Sequence, residues 1–243
     1  QLVCQTGSVT EGRMFRFAWL PVALLIVGCS EPAGETRREQ QSIDLAGTQS
    51  ARVNLAMGAG ELMVGSGAST LVEAEFTYNL DRLKPTVEHH TSGGETDVAI
   101  SQTETGSFNF GNVVSRWDLR LNNGVPLDVV AKLGAGEAHM NLGDLTLRRL
   151  DVGIGAGEVH VDLRGMPKRS YGVEIKGGVG ETVVYLPRTV GISATAAGGI
   201  GSITMNGLEK RGERWINTGH ESDLVQITLD VKGGIGEITV HAQ

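Results

Sequence analysis

The amino-acid sequence predicts an all-β protein, built as a solenoid-like parallel β stack with an inserted antiparallel β meander. Glycine accounts for 35 of the 243 residues and aromatic residues for only 5%, a composition that favours small side chains and tight turns. A glycine-centred phrase recurs six times, and the residues on both sides of it alternate between apolar and polar. Such internal repetition of β segments is typical of a solenoid.

Each copy of the phrase contains Gly-x-Gly, and the first glycines are Gly58, Gly134, Gly155, Gly178, Gly199 and Gly234. The central copies follow one another at intervals of 21, 23 and 21 residues, whereas the outer intervals of 76 and 35 residues leave room for inserted material. A dinucleotide-binding loop would need a third glycine and a helical segment after it, and no copy has them. The repeats therefore indicate structural corners.

Apolar columns flank every corner. The residues five positions before the first glycine are Val53, Val129, Leu150, Val173, Ala194 and Leu229. After the bend, one column contains Ala138, Val159, Thr182, Ile203 and Ile238. Strand, glycine bend and strand thus form one rung, which pairs with neighbouring rungs. Glycine suits the bend because it accepts positive φ and lets adjacent rungs approach closely.

The rest of the chain is assigned around this stack. We assign residues 42–243 to the β domain and residues 70–121 within it to the inserted meander. The segment "NGLEKRGERWINTGHESD", between the fifth and sixth copies, is typical of a hairpin excursion.

The amino terminus has the layout of a lipoprotein signal peptide. Residues 1–13 are interpreted as an upstream extension and residues 14–28 as the signal peptide, in which Arg16 precedes the apolar run 17–27. This run is too short to span a bilayer. The Gly28-Cys29 junction resembles a lipobox, so Cys29 is the predicted lipidation site. Cleavage at an ordinary signal-peptide site, with Cys29 there by chance, is the alternative.

Residues 29–41 are polar and are interpreted as the lipidated cysteine and a flexible tether. The predicted location is the cell envelope, with the membrane bound through the lipid. In an organism with two membranes, Ser30 favours the outer one, since Asp at this position would favour inner-membrane retention. The net charge of -7 shows no basic stripe, which disfavours a nucleic-acid partner.

The glycine corners, the strand "EAEFTYN" and the segment "WDLRLNNGVPLD" together resemble the bacterial toast-rack family. These are β-stacked domains related to the carboxy-terminal domain of LiaF-like proteins of the cell-wall-active-antibiotic response. The resemblance covers residues 43–241. It implies a parallel β stack in an envelope protein, with a sensing or interaction role and a partner in the envelope. It supplies no catalytic residues.

A recurring carboxylate follows the second glycine of most copies, at Glu61, Glu137, Glu158, Glu181 and Glu237, with Ser202 in the remaining copy. Stacked on neighbouring rungs, these groups would either hold a cation such as Ca²⁺ or remain solvated. We favour solvated carboxylates, with positive charge supplied nearby by Lys132, Lys176 and Lys232. The sequence predicts no cofactor.

His139 and His160 share a column on adjacent rungs and could bind Zn²⁺, but the column offers no third ligand, and surface residues are the favoured interpretation. No hydrolase motif is present in the sequence. We therefore predict a non-enzymatic scaffold, sensor or interaction module. A glycan- or cation-binding module or a polysaccharide-active enzyme is the alternative. Outward aromatic residues beside a groove would favour glycan binding, and a tight group of acidic and basic residues would favour an enzyme.

Overall fold

A computed structural model describes residues 34–102 and 113–243, within a unit that extends from residue 32 to residue 243. The predicted signal peptide and Cys29 lie outside the described residues. The strands are β1 Arg37–Ile43, β2 Ser50–Ser66, β3 Val72–Tyr78, β4 Thr86–Ser92, β5 Glu95–Ser101, β6 Ser115–Leu121, β7 Leu127–Asn141, β8 Leu147–Asp162, β9 Tyr171–Leu186, β10 Gly191–Asn206, β11 Glu209–Arg211, β12 Arg214–Ile216 and β13 Gln226–Ala242. One 3-10 helix, Asp81–Leu83, follows β3. None of the described residues forms a helix long and apolar enough to cross a membrane.

The six glycine phrases lie on six long parallel strands, stacked in the order β2, β7, β8, β9, β13, β10. This arrangement confirms the predicted stack. Each strand bends at its Gly-x-Gly, and we call the part before the bend the entry half and the part after it the exit half. In β2, β7, β8, β9 and β13 both halves bury alternate side chains in one core, whereas in β10 only the entry half does so.

In β7 and β13, core side chains near the corner compensate for one another in volume. In β7, Leu133 stands just before the corner and the smaller Ala138 just after it, and both are buried. In β13 the order is reversed, since Gly233 precedes the corner and Ile238 follows it. A Cβ on Gly233 would lie 3.1 Å from Cδ1 of Ile238, so the isoleucine occupies the space that the glycine leaves. In these two rungs, one large residue fills the space that a small residue leaves on the other side of the bend.

The two glycines of a corner do different work. In β8, Gly157 has a φ of +128°, whereas Gly155 has ordinary backbone geometry. A Cβ on Gly155 would lie 2.4 Å from the carbonyl oxygen of Gly134 on the neighbouring strand. A Cβ on Gly157 would lie still nearer to β7, 1.9 Å from the carbonyl oxygen of Gly136. Both glycines therefore permit close approach of the rungs, and only the second also permits the bend through its positive φ.

Chain order and spatial order differ at the end of the stack. β13 inserts between β9 and β10, so the sixth copy of the phrase lies between the fourth and the fifth. The predicted hairpin between the fifth and sixth copies is present as β11 and β12, and β12 pairs antiparallel with Ser193 and Ala194 of β10. β10 is consequently the last long strand of the stack.

The region predicted as a meander contains antiparallel pairs, β4 with β5 and β3 with β6. β5 and β6 also pair parallel with β2, β5 along its entry half and β6 along its exit half. Together they form an additional rung that consists of two separate strands.

The sheet begins earlier than predicted. β1 starts at Arg37, inside the segment 29–41 that we interpreted as tether, and pairs antiparallel with β3. Its sequence "RREQQSI" is polar because this strand is almost entirely exposed and buries only Ile43. A polar edge strand and a tether are therefore hard to distinguish by composition.

Candidate binding surface

The outward side chains of the exit halves form one surface, which we call the acidic face. A first row on this face, the carboxylate row, places Glu61, Glu137, Glu158, Glu181, Glu237 and Ser202 in register on β2, β7, β8, β9, β13 and β10. The sequence predicted this stacking. Neighbouring strands are about 4.8 Å apart, so each pair of adjacent carboxylates repels by roughly 0.9 kcal/mol in water.

Two of the three lysines that we expected to supply positive charge near this row pair with other groups. Lys176 lies 2.6 Å from Glu174, and Lys232 lies 2.7 Å from Asp230, all on the outward side of the entry halves. These two lysines therefore form their ion pairs with acidic residues of the entry halves, and they form none with the carboxylate row. A lysine before the corner and a glutamate after it lie on different halves of the bent strand, and each lysine has a nearer acidic residue on its own half.

Partners of the carboxylate row are few. Arg116 of β6 lies 3.3 Å from Glu61 at one end, and the Ser202 hydroxyl donates to Glu237 over 3.2 Å at the other. Between them, Glu137 and Glu158 have only histidines within ion-pair distance among the described residues, and Glu181 has no cationic partner there. The middle of the row thus carries uncompensated negative charge when the histidines are neutral.

The two histidines predicted to share a column form a stacked pair. The rings of His139 and His160 have centroids 5.0 Å apart and planes 13° apart. Each Nε2 lies near the carboxylate two residues earlier, 3.5 Å for Glu137 and 3.6 Å for Glu158. Within residues 34–102 and 113–243, no group of three or more histidine, cysteine or acidic side chains has a geometry that could hold a metal ion.

A further row, which sequence analysis missed, crosses the same face two residues beyond the histidines. Arg164 binds Asp162 through Nε at 2.9 Å and lies 4.8 Å from the centroid of the Tyr185 ring. Tyr185 stacks on His241 at 5.0 Å, and the amide of Asn206 lies 3.2 Å from Nδ1 of that histidine. The hydrogen bond from Arg164 holds the pKa of Asp162 below its ordinary value. The sequence contained a signal for this row, because its members stand at the same offset from the glycine corner of their strands.

This row also bears on glycan binding. Tyr185 is the outward aromatic residue that would favour it, but its neighbours Arg164 and His241 contact the ring. A sugar binds an aromatic residue by lying flat against a face of its ring. Arg164 and His241 already occupy the ring of Tyr185. The rings therefore join adjacent strands, and the acidic face presents carboxylates and ring edges to solvent.

A tight acid–base group, the feature that would favour an enzyme, occurs on the outward side of the entry halves. Arg149 binds Asp151 at 2.8 Å and Glu174 at 3.4 Å, beside the two lysine pairs already described. The hydrogen bond from Lys232 keeps the pKa of Asp230 below its ordinary value. Glycoside hydrolysis needs one carboxyl group with a raised pKa as general acid. Here each acidic residue is paired with a cation, which is the pattern of a structural ion-pair network.

The glycine corners, the parallel rungs and the meander that pairs with them define a solenoid-like, β-stacked domain. Residues 32–185 match the family model "N-terminal domain of toast_rack, DUF2154". The chain belongs to the toast-rack family, as the sequence resemblance implied. No curated protein matches its sequence.

Solved structures of other proteins are also similar to this chain. A "putative cell adhesion protein" from Clostridium sporogenes is 28% identical, with a TM-score of 0.84 over 86% of this chain and 100% of that chain. A "putative adhesin" from Bacteroides fragilis is 8% identical with a TM-score of 0.30, over 86% of this chain and 98% of that chain. A "putative adhesin" from Parabacteroides merdae is 13% identical with a TM-score of 0.28, over 86% of this chain and 82% of that chain. Only the first of these similarities supports structural comparison.

Proposed function

We propose that this protein is a non-enzymatic interaction module of the bacterial cell envelope, anchored by lipid on Cys29, which binds an envelope protein through its acidic face. The observation that carries the proposal is the carboxylate row. Its adjacent members repel one another, and the cations before the corner bind elsewhere. A row that opposes folding in this way is well suited to a partner that supplies the missing positive charge.

The chemistry of the row indicates the kind of partner. Carboxylates repeat at the spacing of adjacent strands, about 4.8 Å, along a nearly straight line. A partner strand or helix with several Lys or Arg side chains along one side would match that line. Complementary charge of this kind mainly accelerates association and selects the partner, and its effect weakens with salt.

Similarity to the Clostridium sporogenes protein supports a role in adhesion. That protein shares the fold at a TM-score of 0.84 and is described as a cell adhesion protein by its provisional name. Adhesion at a surface needs an anchor, a spacer and a binding face. The proposed Cys29 anchor, the short polar segment before Arg37 and the acidic face would supply these in chain order.

The proposal is tested by cross-linking the full chain to its partners and capturing them together from detergent-solubilised envelope. The test variant combines Glu137→Gln, Glu158→Gln and Glu181→Gln. The control combines Glu88→Gln, Glu209→Gln and Glu213→Gln, which removes the same charge from exposed positions away from the acidic face. We expect the parent and the control to capture the same envelope protein, the test variant to lose it, and salt to weaken capture. Equal capture by both variants would contradict the proposal.

A further inference from the structure

The last strand of the stack has one side without a partner. β10 pairs with β13 along nearly its whole length, but β12 covers only Ser193 and Ala194 on its other side. Among the described residues, no strand pairs with the far side of Gly198–Asn206. The exit half of β10 therefore presents a row of unpaired backbone N–H and C=O groups, which can accept another strand.

The chemistry of this edge is unlike that of the other strand edges. Residues 194–208 contain no charged side chain and no proline, and Ser202 stands where the other five copies have glutamate. At the opposite end of the stack, β1 carries Arg37, Arg38 and Glu39, and its arginines pair with Asp81 and Glu75. Proteins commonly protect exposed edges with charges of this kind. The β10 edge lacks that protection.

The core is also open at this edge. Ile203 occupies the core column that contains Val159 and Ile238, which are 0% and 4% exposed, yet Ile203 is 41% exposed. At the corner beside it, Ile200 is 71% exposed and Ile235 is 52% exposed. One further strand along β10 would cover Ile203, as the strands on either side of β13 and β8 cover Ile238 and Val159.

We infer that the exit half of β10 is a homotypic interface, at which two copies of this chain join their stacks by antiparallel pairing of β10 with β10 of the second copy. An uncharged edge meets an identical uncharged edge without repulsion, so the surface is self-complementary, as a two-fold interface must be. Head-to-tail stacking would instead place Ile203 against the charged strand β1. The interface is formed by the backbone edge and the core side of β10 and leaves the carboxylates of the acidic face exposed, so the inference goes beyond the proposed function.

The pleat and the length of the straight segment together set the register of this pairing. Opposite residues of an antiparallel pair point to the same face, so core-facing residues must oppose core-facing residues. Among the registers that meet this condition, the one that pairs all of Ser202–Asn206, the straight segment after the bend, places Thr204 opposite Thr204 of the second copy. Ile203 then faces Met205 across the interface, and the two open cores become one.

Disulfide trapping in the intact envelope tests this arrangement on the full chain. Opposite Cα atoms in an antiparallel pair are about 4.5–5.5 Å apart, within the range that a disulfide spans. Thr204→Cys should therefore give a covalent dimer on oxidation. The matched control is Thr239→Cys, because Thr239 is paired with Thr204 one strand further in. Its distance to its counterpart would be about 14 Å, three strand spacings, so it should not cross-link. The parent chain controls for any disulfide through Cys29.

A second variant tests the apolar closure of the core. Adding Ile203→Lys to Thr204→Cys places a charge at the joined core and should abolish the covalent dimer. The substituted side chain is at the edge, so the double variant should still unfold cooperatively in urea, which would show that it folds. The inference is overturned if the Thr204→Cys and Thr239→Cys variants cross-link equally, or if neither of them cross-links. It is also overturned if the double variant still forms the covalent dimer, or if the Thr204→Cys variant traps a different protein.

Discussion

The corner glycine Gly157 offers the sharpest test of the fold. Its φ of +128° is a conformation that side chains with a Cβ rarely adopt, and Val there would cost about 1–3 kcal/mol in backbone strain. The new Cβ would also lie 1.9 Å from the carbonyl oxygen of Gly136 on β7. β7 and β8 would have to separate, which weakens ladder hydrogen bonds worth about 0.5–1.5 kcal/mol each. We expect Gly157→Val to lower the free energy of unfolding by about 3–6 kcal/mol, a large part of the stability of an ordinary domain.

Two other glycines of the same strand provide matched controls. Gly155→Val meets the carbonyl oxygen of Gly134 at 2.4 Å without strain in φ, so its loss should be smaller. Gly153 has ordinary φ, and a Cβ there would meet no atom within 4 Å. Gly153→Val should therefore leave stability unchanged or raise it by up to about 1 kcal/mol, because the unfolded chain becomes less flexible.

The assay is urea unfolding of the full chain, followed by the fluorescence of Trp117, which is buried in the core. With a slope of about 2 kcal/mol per molar, Gly157→Val should lower the midpoint by about 2 M. The expected order of stability is Gly153→Val, then Gly155→Val, then Gly157→Val. If Gly157→Val unfolded at the same urea concentration as Gly153→Val, the assignment of this glycine to a steric corner would be refuted.

Three further predictions concern the anchor, the carboxylate row and acid. Cys29→Ala should release the protein from the membrane fraction and abolish labelling by a palmitate analogue, whereas unchanged membrane association would exclude the lipid anchor. The triple Gln variant of Glu137, Glu158 and Glu181 should melt at the same or a slightly higher temperature than the parent, because like-charge repulsion is removed. The parent should show no calcium-dependent rise in melting temperature, and a rise that the variant lacks would establish a calcium site. The stability that Asp162 contributes is present above its unfolded-state pKa of about 4 and is lost as pH falls through its lowered folded-state pKa. Asp162→Asn should therefore lose less stability than the parent between about pH 6 and about pH 3 in urea titrations, and equal losses would contradict the role of the Arg164 pair.

The sequence by itself determined the rung. Gly157 and its counterparts recur because a bend between closely stacked strands excludes a Cβ, and this steric rule acts within a few residues of the chain. The alternating apolar columns around Val129 and Val159 follow from the period of a strand, which is equally local. The parallel stack and the register of the carboxylate row could therefore be predicted without the structure.

Tertiary structure alone decided which rungs become neighbours. β13 lies between β9 and β10, although its sequence copy follows that of β10, because the connecting segment forms the β11–β12 hairpin and the chain returns inside the stack. This placement leaves Ile203 at an open edge, brings Tyr185 against His241, and gives β2 a rung made of the separate strands β5 and β6. Each of these contacts joins residues far apart in the chain. Their pairing depends on the path of the connections, and the local pattern of side chains is the same for any stacking order.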